Sequence, residues 1–154
     1  VFDLFHPTGA TRGLAVIVHG GYWLRFDKSF WSDLAEGALA HGWAVAMPSY
    51  RLAPEVRISE ISKDIASAIA AAGERIAGPI RLTGHSAGGH LVTRMVSGST
   101  PLPAAVADRV ERVVSISGLH DLRRTFATGP AARRADEAVG QAADHRTGTR
   151  NEGP

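Results

Sequence analysis

The chain has 154 residues, 44% of them hydrophobic, a formal net charge of +2 and no cysteine. That length suffices for one domain with a real core and is short for two. The missing cysteines exclude disulfides, Cys-ligated zinc and a thiol nucleophile, which leaves serine as the strong nucleophile available. Arginines stand singly or in pairs and aromatics make up only 6%, so no nucleic-acid partner is expected. No apolar run of membrane-spanning length and no basic, apolar leader occurs; no membrane partner and a cytoplasmic location are expected.

In chain order, Phe2-Asp3-Leu4-Phe5 before Pro7 reads as an outer strand. Leu14 to Val18 is a short β-branched apolar run that stops at His19-Gly20-Gly21, the pattern of a buried parallel strand and its exit loop. Trp31, Leu34, Ala38 and Leu39 recur at helical spacing behind Asp27 or Ser29 as cap, with Gly42 as stop. Trp43 to Met47 repeats the strand pattern before Pro48. Ser59 is expected to cap a helix whose apolar face is Ile61, Ile65, Ala68, Ile69 and Ala72, ending at Gly73. Ile80-Arg81-Leu82-Thr83 leads into a glycine-rich turn, and Leu91, Val92, Met95 and Val96 mark a helix behind it. Val110 to Ile116 is a further strand closed by Ser117-Gly118. Strand alternating with helix predicts an α/β fold, a mainly parallel sheet covered by helices on both faces.

The pattern fails after Leu122. From Arg123 to Pro154 the only large apolar residues are Phe126 and Val139, too few to offset the entropy of ordering the segment. Residues 1–122 are therefore expected to form the domain, and residues 123–154 to be a polar tail, disordered or foreign to the fold.

Chemistry concentrates at Gly84-His85-Ser86-Ala87-Gly88, a G-x-S-x-G sequence between a strand and a helix. Lifting a serine Oγ out at a strand end requires a sharp turn whose crowding favours glycine at the flanking positions. In a chain with 17 glycines such a pentapeptide is weak alone, and an ordinary serine in a tight turn or a phosphate-cradling loop are the competing readings. A dinucleotide fingerprint would need G-x-G-x-x-G spacing, which Gly84 to Gly89 lacks. Acyl transfer needs a nucleophile, a base, a group orienting the base, and donors aimed at the oxyanion. Ser86 supplies the first. The Ala87 amide, at a helix start, and the Gly20 and Gly21 amides, on a glycine-rich loop after an earlier strand, supply the last.

His19-Gly20-Gly21-Tyr22-Trp23 and Gly84-His85-Ser86-Ala87-Gly88-Gly89, with Tyr50-Arg51-Leu52-Ala53-Pro54 between them, resemble the α/β-hydrolase esterases, most closely the arylformamidases, over about residues 2–122. The resemblance implies an α/β-hydrolase fold and hydrolysis of N-formyl-L-kynurenine to L-kynurenine and formate, or of a small aryl ester, without metal or organic cofactor. It also implies that Ser86 attacks the formyl carbon, that Gly20, Gly21 and Ala87 hold the oxyanion, and that Tyr22 and Trp23 wall an aryl pocket. Packing of those two rings on the sheet is the competing reading. Carboxylesterases of the hormone-sensitive-lipase type, which carry a third glycine where this chain has Tyr22, are the runner-up.

In that fold the acid and the histidine follow the serine. The residues in the required order are Asp121, after the last strand, which reads better as a loop-shaping or substrate-side residue, and His145, whose polar, glycine-rich surroundings would not fix a ring; both triad partners are therefore expected to be absent, and the chain inactive without them. His85 is expected to turn away from Ser86, His19 to brace the oxyanion loop, and His90 to lie within a helix. Only 13 residues precede Leu14 and 68 follow Ser86, so the first and last strands are expected to be missing. The sheet edge left open offers a route to oligomers. A non-catalytic fragment that binds an aromatic ligand or a partner chain is the second expectation, and acyl transfer or peptidase action by the same turn the third.

Overall fold

The structure, a computed structural model, describes residues 1–122. Five strands form one sheet: β1 (Phe2–Phe5), β2 (Leu14–Val18), β3 (Ala44–Pro48), β4 (Ile80–His85) and β5 (Val110–Ile116), in the spatial order β1-β3-β2-β4-β5. β1 runs antiparallel to β3, and the other three pairings are parallel. Between the strands lie a 3₁₀ segment Lys28–Leu34 continuing into α1 (Ala35–Ala40), then α2 (Ile58–Arg75), α3 (Ala87–Arg94) and the short α4 (Ala104–Ala107).

Period-two alternation sorts the strand residues between two apolar layers. Leu14, Val16 and Val18 of β2, Ala44 and Ala46 of β3, and Ile80 and Leu82 of β4 face the larger cluster, built with Ile61, Ile65 and Ile69 of α2 and Leu91 and Val92 of α3. Ala15 and Ile17 of β2 and Val45 and Met47 of β3 face the smaller one, closed by Trp31, Ala35, Ala38 and Leu39. The expected two-sided cover is thus present. The Arg51 guanidinium grips the Asp64 carboxylate through two nitrogens at 2.8 and 2.7 Å, tying the exit of β3 to α2.

Four details depart from the sequence reading. The first helical stretch opens as 3₁₀, capped by Asp27, whose carboxylate accepts from the Ser29 amide at 2.7 Å. Helix α2 begins one residue before Ser59, at Ile58 after extended Arg57, so Ser59 lies inside the first turn. It also runs past Gly73 to Arg75, because Gly73 is a buried helix residue whose carbonyl accepts from the Arg109 guanidinium at 2.8 Å. Val96 is 52% exposed, beyond the last turn of α3 rather than on its buried face. Among the described residues β5 pairs only with β4, and its Val114 and Ile116 are exposed.

Candidate active site

The turn between β4 and α3 carries Ser86 at φ 54°, ψ −115°, a conformation in which an L-residue is strained. The geometry is over-determined by its neighbours. The Ser86 amide donates to the Ile116 carbonyl of β5 at 2.8 Å, and the Ser86 carbonyl accepts from the His90 amide at 3.2 Å as α3 begins. A Cβ on Gly88 would run into the Val18 carbonyl and sit 2.6 Å from the His19 carbonyl, and one on Gly84 would strike the Gly88 carbonyl. Both glycines are therefore required by backbone approach, as the sequence pattern predicts. Gly89 is closed in as well: its Cβ would come within 2.6 Å of Ser115 Oγ.

The His19-Gly20-Gly21 loop meets this turn directly. A Cβ on Gly20 would lie 2.9 Å from the His85 carbonyl and 3.3 Å from Ser86 Cβ, so the loop backbone and the serine share one wall. Ser86 is the N-cap of α3, which makes the Ala87 amide the first of the helix donors that have no partner within the helix. Of the four residues that sequence reasoning joined, the structure brings Gly20 against Ser86, with Ala87 next to it at the start of α3, whereas Gly21 packs against Arg25 and Phe26.

The loop is held from behind. The His19 ring stacks on Tyr50 at 4.4 Å between centroids, and Tyr50 Oη donates to the His19 carbonyl at 3.2 Å. His19 Nδ1 donates to the Gly20 carbonyl at 2.8 Å. Its other nitrogen, Nε2, is buried with no hydrogen-bond partner among the described residues, which only a neutral ring tolerates cheaply. Burial accordingly pushes His19 below the ordinary histidine value, outweighing the bond to Gly20 and the charge of Asp27. Burial also pushes the Tyr50 phenol up, keeping it a donor. His19 thus braces the loop, as expected, and Tyr50 is the partner that the sequence did not reveal.

The two aromatic pocket candidates separate. Tyr22 is 45% exposed beside the loop, whereas Trp23 is 2% exposed and belongs to the core. The Trp23 ring meets His90 edge-on at 5.5 Å and its carbonyl accepts from the Ala53 amide at 2.8 Å. Among the described residues Trp23 thus packs in the core, the reading that competes with a pocket wall. His85 is exposed and its ring meets Trp31 at 6.3 Å, on the α1 side of the sheet and away from the helix that Ser86 caps.

Asp121 is exposed just beyond β5, and His145 lies outside the described residues. Among the described residues no side chain hydrogen-bonds Ser86 Oγ. Close behind α3, Ser115 Oγ and His120 Nε2 lie 3.2 Å apart. The His90 ring is pushed below the ordinary histidine value by burial first, then by the charges of His120 and Arg94. No group of three or more metal-type ligands occurs among the described residues, and no helix there is long and apolar enough to cross a membrane.

A family profile described as alpha/beta hydrolase fold matches residues 15–148. Kynurenine formamidase of Drosophila melanogaster is 26% identical over 127 residues, covering 79% of this chain and 42% of that protein. The Danio rerio kynurenine formamidase is 27% identical over 132 residues, covering 82% and 44%. Among solved structures, a provisionally assigned thioesterase from Silicibacter sp. TM1040 superposes with a TM-score of 0.83 at 56% identity, over 90% of this chain and 54% of that one. Esterase B of Lactobacillus rhamnosis superposes at 0.64 with 23% identity, over 90% and 49%, a likeness of fold. The chain spans less than half the length of the curated relatives it matches.

Proposed function

Because the chain belongs to the alpha/beta hydrolase family, we propose that Ser86 is its acyl-accepting nucleophile and that the substrate is an aryl formamide or a small aryl or carboxylic ester. The observation that carries the reading is the strained Ser86 backbone at the strand-to-helix turn, pressed against Gly20 of the oxyanion loop. Strain of this kind persists only where surrounding structure holds it, and it lifts the hydroxyl off the sheet end.

The chemistry follows from the placement. Ser86 Oγ attacks the carbonyl carbon while its proton passes to a base, and the amides of Ala87, Gly20 and Gly21 bind the oxygen that becomes negative. Each such donor is worth about 3–4 kcal/mol of barrier. Collapse of the tetrahedral adduct breaks the C–N or C–O bond, and the base returns the proton to the leaving amine or alcohol. Water, deprotonated by the same base, then cleaves the formyl- or acyl-serine. For the base and its orienting acid, chain order offers His145 and Asp121, and no described side chain hydrogen-bonds Ser86 Oγ. The two kynurenine formamidases support the formamide arm. The thioesterase-assigned relative adds a thioester arm to the substrate panel.

A fluorophosphonate probe should label wild-type protein at Ser86 and leave Ser86→Ala unlabelled, with formate release from N-formylkynurenine lost in the same variant by at least about 10³-fold. A folded wild-type chain that takes no label overturns the nucleophile assignment. Label without formate release, but with ester or thioester turnover, moves the substrate and keeps the nucleophile.

A further inference from the structure

Four exposed large hydrophobic side chains fall in one short stretch after the oxyanion loop: Tyr22 at 45%, Phe26 at 41%, Phe30 at 68% and Leu34 at 55%. Single exposed apolar residues are ordinary, but a contiguous patch marks a surface in use. Of these, Phe26 and Phe30 touch each other at 5.4 Å, and Phe26 also meets the half-buried Trp31 of the smaller apolar layer at 6.3 Å, nearly perpendicular at 85°.

The patch is built rather than loose. Its backbone turns through left-handed values at Gly21, Tyr22, Trp23 and Phe26, with φ of 117°, 54°, 61° and 72°, an unusual density for bulky aromatic residues. The strain is held by anchors at both ends: the Trp23 carbonyl on the Ala53 amide, the Lys28 amide on Ser49 Oγ at 3.1 Å, and the Lys28 ammonium on Asp3 at 2.7 Å. A segment so fixed keeps Phe26 and Phe30 facing solvent.

The patch also adjoins the serine. Trp31 meets the His85 ring at 6.3 Å, His85 is the residue before Ser86, and Gly20 packs on the His85 carbonyl and on Ser86 Cβ.

We propose that Phe26, Phe30 and Trp31 form an aromatic shelf that receives the aryl group of the ester or amide whose acyl carbon Ser86 attacks. The proposal rests on the reading of Ser86 as nucleophile and deepens it, replacing Trp23 with this shelf as the aryl-recognising element. The tilted and perpendicular rings offer a third ring both a face and an edge, whereas an alkyl group gains only covered area. The contact of Trp31 with His85, the residue before Ser86, is the reason to commit to substrate rather than a second protein as the occupant.

The test separates shelf from nucleophile. Equilibrium dialysis of the full chain with acetophenone, which has no hydrolysable bond, is compared with dialysis against methyl cyclohexyl ketone, its non-aromatic counterpart. Phe30→Ala and Phe26→Ala should each weaken acetophenone binding about threefold to tenfold and leave the cyclohexyl ketone nearly unchanged. Both residues are exposed, so urea midpoints should hold, and Phe30→Tyr should retain wild-type binding. Equal acetophenone affinity in wild type and variants, equal preference for the two ketones, or no binding by wild type overturns the shelf. Absence of label on Ser86 overturns the nucleophile and not the shelf.

Discussion

At the residue scale, His19 explains how two glycine amides are kept in place behind the serine. The ring is fixed as a neutral donor by the Gly20 carbonyl and by the stack on Tyr50, with Nε2 buried and without a partner among the described residues. That arrangement makes folding sensitive to acid. Above the ordinary histidine value of 6.5 both folded and unfolded states carry a neutral ring. As pH falls through that value the unfolded chain takes up a proton that the folded chain refuses, so stability is lost progressively until the depressed folded pKa is reached. His90, lowered in the same direction by burial, adds to the loss with the same sign. Urea unfolding between pH 8 and pH 5 should therefore show a flat midpoint above about pH 7 and a falling one below about 6.5. The window is separate from that of Asp64, which Arg51 holds below the usual carboxylate range and whose contribution is lost only as pH falls below about 3.9. A midpoint constant from pH 8 to pH 5 would mean that neither ring is held neutral.

At the element scale, the same residue type does opposite things in two helices. A Cβ on Gly88, at the start of α3, would meet the Val18 and His19 carbonyls of β2 and its exit. Both obstacles are backbone, so the helix itself must move away from the sheet. Gly37, within α1, has nothing within 4 Å of the added carbon. Gly88→Ala should cost stability at the upper end of about 1–3 kcal/mol and slow the labelling of Ser86. Gly37→Ala should stabilise by about 0.5–1 kcal/mol, because glycine loses more backbone freedom on forming a helix. Urea midpoints of the two variants should thus move in opposite directions; a stable Gly88→Ala protein would show that α3 packs less closely on β2. This contrast also marks what sequence can carry. The elbow glycines and all five strands were legible, since β-branched runs ending at glycine or proline have few other solutions. The start of α2 was not, because Ser59 looks like a cap while the helix begins at Ile58 after an extended Arg57 that makes no side-chain cap bond. Nor was the fate of Trp23: adjacent aromatics Tyr22 and Trp23 are equivalent on paper, and only left-handed backbone at both sends one outward and the other into the core.

At the scale of the whole molecule, the described fold already contains a closed apolar interior. Its buried hydrophobic residues run from Leu14 to Leu102, and Leu119 and Leu122 pack partly buried against them. The family match nevertheless continues to residue 148, across the segment whose composition set it apart from the domain. The two views make different demands on a chain ending at Leu122. If the domain ends there, that chain should unfold in one cooperative urea transition within about 0.5 kcal/mol of the full chain, the range of changes that leave packing untouched. If the domain continues past Leu122, the shortened chain should lose cooperativity and bind a hydrophobic dye. Labelling of Ser86 answers a separate question on the same sample. A general base contributes about 10²–10⁴ in rate, so if His145 is that base, its loss with the tail should slow the fluorophosphonate reaction by that order while folding is unchanged. An unaltered labelling rate in a folded 1–122 chain would remove His145 from the reaction. The proton of Ser86 would then have to pass to a group among the described residues or to water, with His120, paired to Ser115 beside α3, the next side chain to substitute.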